Sequence, residues 1–159
     1  MITTMESGNR LDLFEPGDPT LLVCHDVPEV RDLIVAQFSE LNYKIHTGLY
    51  PDDILLKMRT HQYDAIVLSA NFNAVHYETC PIYLAAIGVP PAQRRRQFIV
   101  LIGSQFATGD AMQSFAASVD LVIGLPDVMT LRPVFRRTSQ RHRELYSPFF
   151  EAEKAAAIV

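Results

Sequence analysis

Cysteine is scarce in this sequence, basic charge is in deficit, and no apolar run is long enough to cross a bilayer. Each absence removes a class of function. The two cysteines, Cys24 and Cys80, stand outside any metal-ligand spacing, so a reducing cytoplasm is the expected compartment. His76 and Cys80 could share a helix face, but two ligands fall short of a zinc site. No metal and no cofactor is expected. A total of 14 lysines and arginines against 18 acids leaves a formal charge of −4, and the densest basic run, Arg94-Arg95-Arg96, is too short to follow a phosphate backbone. Nucleic acid is not an expected partner. No basic-then-apolar segment opens the chain, so neither a signal segment nor a membrane partner is expected.

What is present suits one well-buried core. The chain has 159 residues, 48% hydrophobic and 20% charged, enough for one domain and too few for two. Residues 1–19 carry Gly8, Pro16, Gly17 and Pro19 without periodicity and read as a flexible lead. A domain is expected over 20–146 and a helical extension over 147–159.

Within the domain, short apolar runs alternate with amphipathic stretches. Leu21-Leu22-Val23-Cys24 reads as a strand buried on both faces. Pro28 opens a helix with Val30, Leu33, Ile34, Phe38 and Leu41 at helical spacing. A strand over 43–47 and a helix from Pro51 with Ile54, Leu55 and Met58 follow. Ala65-Ile66-Val67-Leu68 gives a third strand, then a polar loop through Asn71 and Asn73 and a helix over 78–87, stopped by Pro90-Pro91. Phe98 to Ile102 gives the fourth strand, and 110–119 a helix with Met112, Phe115 and Ala116 facing inward. Leu121-Val122-Ile123 is the fifth strand. The last helix starts near Asp127 or Thr130, carries Val134, Phe135, Thr138, Leu145 and Phe149, and is expected to kink or restart at Ser147-Pro148. Five strands alternating with five helices predict an α/β fold, a doubly wound parallel sheet with function at the carboxyl ends of its strands.

The first strand and helix, LLVCHDVPEVRDLIVAQFSELNY, resemble the opening of bacterial response-regulator receivers, in which a strand ends in two acids before a Pro-Glu-x-Arg helix. The third strand, YDAIVLS, resembles the same family's approach to its phospho-acceptor aspartate. The resemblance covers about Thr20 to Thr138 and implies a flavodoxin-like sheet of order 2-1-3-4-5 in a bacterial two-component signalling protein. Residues 94–123 further resemble a group of bacterial receiver-like proteins, some of which carry a zinc ribbon ahead of the domain. No cysteine precedes Cys24, so none is expected here.

Set against that family, the phosphorylation chemistry is missing. A receiver needs an aspartate nucleophile and oxygen ligands for magnesium. Ser69 stands at the acceptor position. Asp26 remains of the two acids, while His25, a poor ligand for a hard cation, fills the other place. The hydroxyl of the fourth strand corresponds to Ile102, the charge-neutralising lysine to Leu125, and the aromatic switch residue to Val122. Aspartyl phosphorylation is not expected. A serine-hydrolase reading of Ser69, His25 and Asp26 is weak: His25 and Asp26 are adjacent, so their side chains diverge, and no Gly-x-Ser-x-Gly elbow surrounds Ser69. Gly103-Ser104 and Thr108-Gly109 read as a helix cap, since no Walker-type lysine follows.

With catalysis unexpected, surfaces carry the function. The last helix combines Arg136, Arg137 and Arg141 with Tyr146, Phe149 and Phe150, a mixture enriched where proteins meet; the alternative is a solvated basic face with the aromatics folded back. The resemblance implies that the face of the fourth helix, fifth strand and fifth helix pairs with a partner or a second copy. The 77–96 stretch is either a partner-specific lip or a solvated loop. The expectation is a phosphorylation-independent adaptor without enzymatic activity. A phosphate-responsive receiver, a small-ligand sensor and a minor hydrolase are the alternatives.

Overall fold

The computed structural model describes residues 17–158; the expected flexible lead lies, up to residue 16, outside the described residues. Five short runs form one parallel sheet: β1 Thr20–Cys24, β2 Lys44–Thr47, β3 Ala65–Ser69, β4 Phe98–Gly103 and β5 Leu121–Gly124. Their order is β2-β1-β3-β4-β5, as expected for the doubly wound arrangement. Every residue of β1, β3, β4 and β5 is buried, because helices cover both faces and no side of these strands meets water.

The helices are α1 Pro28–Glu40, α2 Pro51–Thr60, α3 Pro81–Ile87, α4 Pro91–Arg95, α5 Ala111–Ala116 and α6 Leu131–Ile158. Proline occupies the first turn of α1 through α4, where its missing N–H has no helical partner to lose. On one face of the sheet Leu22, Leu68 and Leu101 pack with Ile54 of α2 and Ile82 of α3. On the other, Leu21, Val67 and Val100 pack with Phe38 of α1 and Phe135 of α6. Phe135 meets Phe38 edge-on at 4.7 Å and Phe98 at 5.1 Å, contacts worth about 0.5–1.5 kcal/mol each beyond burial. That cluster fastens α6 to the sheet.

Four expectations are corrected. Residues 78–87 do not form one helix: a 3-10 turn over Tyr77–Thr79 ends at an extended Cys80, and α3 starts at Pro81, whose ring disfavours helical backbone in the residue before it. His76 is exposed and precedes that turn, so it shares no helix face with buried Cys80. Helix α3 ends at Ile87, ahead of Pro90-Pro91 as expected, and Pro91 opens α4. The helix expected over 110–119 is only six residues long and turned the other way. Met112 and Phe115 are 74% and 81% exposed and Ala116 is exposed, while Ser114 and Ala117 are buried. The Asp110 carboxylate accepts the Gln113 N–H at 2.9 Å, an N-cap that fixes the helix with its small residues inward. Finally, α6 runs through Ser147-Pro148 without a break, and Leu145 is 72% exposed.

Candidate functional site

Parallel pairing gathers the ends of β1, β3, β4 and β5 at the carboxyl edge of the sheet, where the strand order reverses between β1 and β3. His25 follows β1 and is 5% exposed. Its Nδ1 accepts the Val27 N–H at 3.1 Å, which makes Nδ1 the unprotonated nitrogen. Burial holds its pKa below the ordinary histidine value, against the opposing pull of Asp26, so the ring is neutral. The Asp26 carboxylate accepts the Asn73 N–H at 2.9 and 3.2 Å. Asn73 and Ala74 both adopt left-handed backbone, φ 58° and 60°, which curls the loop after β3 back toward Asp26.

Ser69 ends β3 and its hydroxyl donates to Asn71 Oδ1 at 2.8 Å. Ile102 lies opposite Ser69 in register and is buried with Val100 and Ile123. Leu125, 41% exposed, opens a 3-10 turn over Leu125–Thr130. Val122 is fully buried beside Leu101 in the core under α2 and α3. Beyond β5 the Gly124 N–H donates to Thr108 Oγ1 at 2.8 Å. A Cβ on Gly124 would come within 2.8 Å of the Phe106 carbonyl oxygen, so only glycine lets the 104–110 loop close against β5. Among the described residues no three His, Cys, Asp or Glu are grouped to hold a metal ion. None of His25, Asp26 and Ser69 is hydrogen-bonded to another of the three; each is bonded within its own loop or to the loop after β3.

The opposite edge of the sheet is richer in organised polar groups. Asp120, just before β5, accepts the Ile99 N–H at 2.8 Å and an Arg94 N–H at 2.9 Å through the same oxygen. Arg94 of α4 also donates to the carbonyls of Gln97 at 2.7 Å and Ser118 at 3.0 Å. His142 of α6 brings Nε2 within 3.7 Å of Asp120 Oδ1. Burial lowers its pKa, Asp120 pulls the other way, and Arg94 and Arg143 add to the lowering. Next to this network Arg95 stacks on Phe149 with 4.0 Å to the ring centroid, and Arg96 on Phe150 at 4.9 Å. Arg96 also pairs with Glu153. The lip and the last helix, read from sequence as two separate candidate surfaces, are therefore one surface. Tyr146, Phe149 and Phe150 are half-buried in it, and Arg136, Arg137 and Arg141 are exposed. Sequence reasoning missed Arg94 and Asp120: nothing in the run Arg94-Arg95-Arg96 distinguishes its first member, and an aspartate before a strand carries no pattern of its own.

Among the described residues, three clefts lie toward this edge, away from the carboxyl edge where function was expected. One, of about 540 Å³, is lined by Tyr43, Arg136, Arg137 and Arg143 among others. A second, of about 510 Å³, runs between Tyr43, Phe98, Arg95, Arg96, Arg143 and Phe150. The third, of about 520 Å³, continues along the end of α6.

No family model and no curated protein matches the sequence. Solved structures do. Chemotaxis response regulator CheY4 of Vibrio cholerae superposes with a TM-score of 0.60 over 76% of this chain and 98% of its own, at 15% identity. NtrX from Brucella abortus gives 0.62 over 88% of this chain and 30% of its own, also at 15% identity. The receiver domain of a sensor histidine kinase from Pseudomonas aeruginosa, which holds a magnesium ion in its active-site cleft, gives 0.56 over 76% and 97%, at 18% identity. The fold of this chain is the receiver fold.

Proposed function

We propose that the chain is a receiver-fold signalling module that works without phosphorylation, as a protein-binding adaptor and not as an enzyme. The observation that carries this reading is the state of the carboxyl-edge pocket. A receiver's phosphoryl transfer needs a free carboxylate as nucleophile and a second one for magnesium. Ser69 supplies a hydroxyl already given to Asn71, and the carboxylate of Asp26 is engaged by the Asn73 N–H. Ile102 and Leu125 bring hydrocarbon where a transferred phosphoryl group would need a hydroxyl and a cation.

Incubation with acetyl phosphate and magnesium followed by intact mass measurement tests the reading. An unchanged mass is expected. A gain of one phosphate that disappears in Ser69→Ala would overturn it.

A homodimer through α5, β5 and α6 is the partner arrangement favoured by one finding. Met112 and Phe115 expose large apolar side chains on α5 beside the edge strand β5, an arrangement that self-pairing would cover. Light scattering should give a dimer that Phe115→Glu converts to a monomer; a monomeric parent protein at high concentration would remove this arrangement.

A further inference from the structure

We propose that the trough at the amino edge of the sheet, between α4 and α6, binds an extended acidic segment of a partner protein carrying aromatic or apolar side chains. The proposal rests on the adaptor reading and gives that adaptor's partner a chemistry.

Arg143 lines all three clefts at this edge. The first and second also share Tyr43, Phe135 and Ser139, and the second and third share Arg96 and Phe150. They therefore form one trough along α6, longer than a compact ligand needs and suited to an extended chain. Its charge is one-sided through the first two clefts. Arg136, Arg137 and Arg143 line the first without any acid. The only acid of the second is Asp64, whose carboxylate already accepts the Thr20 N–H at 2.8 Å. Arg143 donates to the neutral amide oxygen of Gln140 at 3.0 Å and is paired with no carboxylate among the described residues.

The guanidiniums are also presented for use. Stacking on Phe149 holds Arg95 flat, and a stacked guanidinium keeps its N–H edge available for a carboxylate; Arg96, stacked on Phe150, already pairs with Glu153. Along the arginines lie the half-buried rings of Tyr43 and Phe150, which give an incoming apolar side chain a surface to cover. Five of the chain's acids, Glu29, Asp52, Asp53, Asp110 and Asp127, sit at helix starts, which the parallel winding places at the opposite edge, while Glu151 and Glu153 enter the trough only in its third cleft, beside Arg96, Arg143 and Lys154. A net charge of −4 thus coexists with a positive trough, and charge complementarity selects an acidic occupant.

Fluorescence anisotropy with a labelled peptide of alternating glutamate and phenylalanine tests this. Saturable binding that weakens as salt is raised is expected. Arg143→Glu and, separately, Arg136→Glu should each weaken it by more than about tenfold, because a like charge is placed against the peptide. Arg31→Glu, at the other edge, should leave it unchanged. Absence of saturable binding, equal binding of an alternating lysine and phenylalanine peptide, or full affinity in Arg143→Glu would overturn the proposal. So would self-association of the parent protein that Arg143→Glu abolishes, since a second copy would then fill the trough. Acetyl phosphate treatment of the same preparation separates the two readings. Failed peptide binding with an unchanged mass removes the trough alone, whereas a phosphate gain removes the adaptor reading whatever the peptide does.

Discussion

The guanidinium of Arg95 lies 4.0 Å from the ring centroid of Phe149, joining a short proline-opened helix to the far end of α6. Pro148 deletes one helical hydrogen bond in the turn between, yet the helix continues. The stacking of Arg95 and Arg96 on the next two residues, with the Arg96–Glu153 pair, supplies from outside what the proline removes from within.

Phe149→Ala should therefore loosen the end of α6 without unfolding the domain. A cation–π contact and half-buried ring are together worth about 1–2 kcal/mol. Amide exchange over 149–158 should accelerate by about tenfold while β1 and β3 keep their protection. Uniform acceleration throughout the chain would show that the stack holds the whole domain.

Asp120→Ala should cost about 2–4 kcal/mol in urea unfolding, because it strands the Ile99 N–H and the Arg94 guanidinium together. Arg94→Ala in that background should cost far less than in the parent, since the two residues share one interaction. Additive losses would contradict a shared network.

Acid should weaken the fold through His46. The ring is fully buried with Nδ1 2.7 Å from the Tyr63 hydroxyl, and burial, then Lys57 and His61, lower its pKa from 6.5 to about 4. The folded state thus binds fewer protons than the unfolded state between those values. The stabilisation is complete above about pH 6.5, is lost as pH falls toward 4, and amounts to something on the order of 3 kcal/mol. The lowered values of His25 and His142 act in the same direction. A series of urea midpoints should fall across that window, and His46→Gln should flatten the fall.

Ala74→Gly should stabilise the protein. Ala74 holds φ at 60°, which costs a side-chain-bearing residue about 1 kcal/mol relative to glycine, less the entropy glycine loses on folding. A net gain of up to about 1 kcal/mol is expected in urea unfolding. A loss would mean that the Ala74 methyl makes contacts outweighing the strain.

Magnesium at about 10 mM should raise the melting temperature by less than about 1 °C, since a weakly held ion stabilises by little. A larger rise, abolished by Asp26→Asn, would show that the ion displaces the Asn73 N–H from that carboxylate.

Most of the sheet was legible because strands buried on both faces leave unbroken apolar runs, as Ala65 to Leu68 and Phe98 to Ile102 do. The face of α5 was not, because hydrophobicity favours Met112 and Phe115 as inward residues, while close approach to the sheet favours Ser114 and Ala117. The break at Cys80 was readable from Pro81. The continuity of α6 through Pro148 was not, since it depends on arginines some fifty positions earlier in the chain. At the carboxyl edge the residue types were visible in order; that the Asn73 N–H engages Asp26 follows from a left-handed loop that no local pattern announces.

The winding puts the acids of the helix starts at one pole and Arg95, Arg136, Arg137 and Arg143 in a trough at the other, which separates charge along the molecule. An acidic segment of the kind proposed for the trough would be turned toward the arginine pole before it touches. Such a field raises the rate of productive encounter far more than the lifetime of what forms, and dissolved salt abolishes it first.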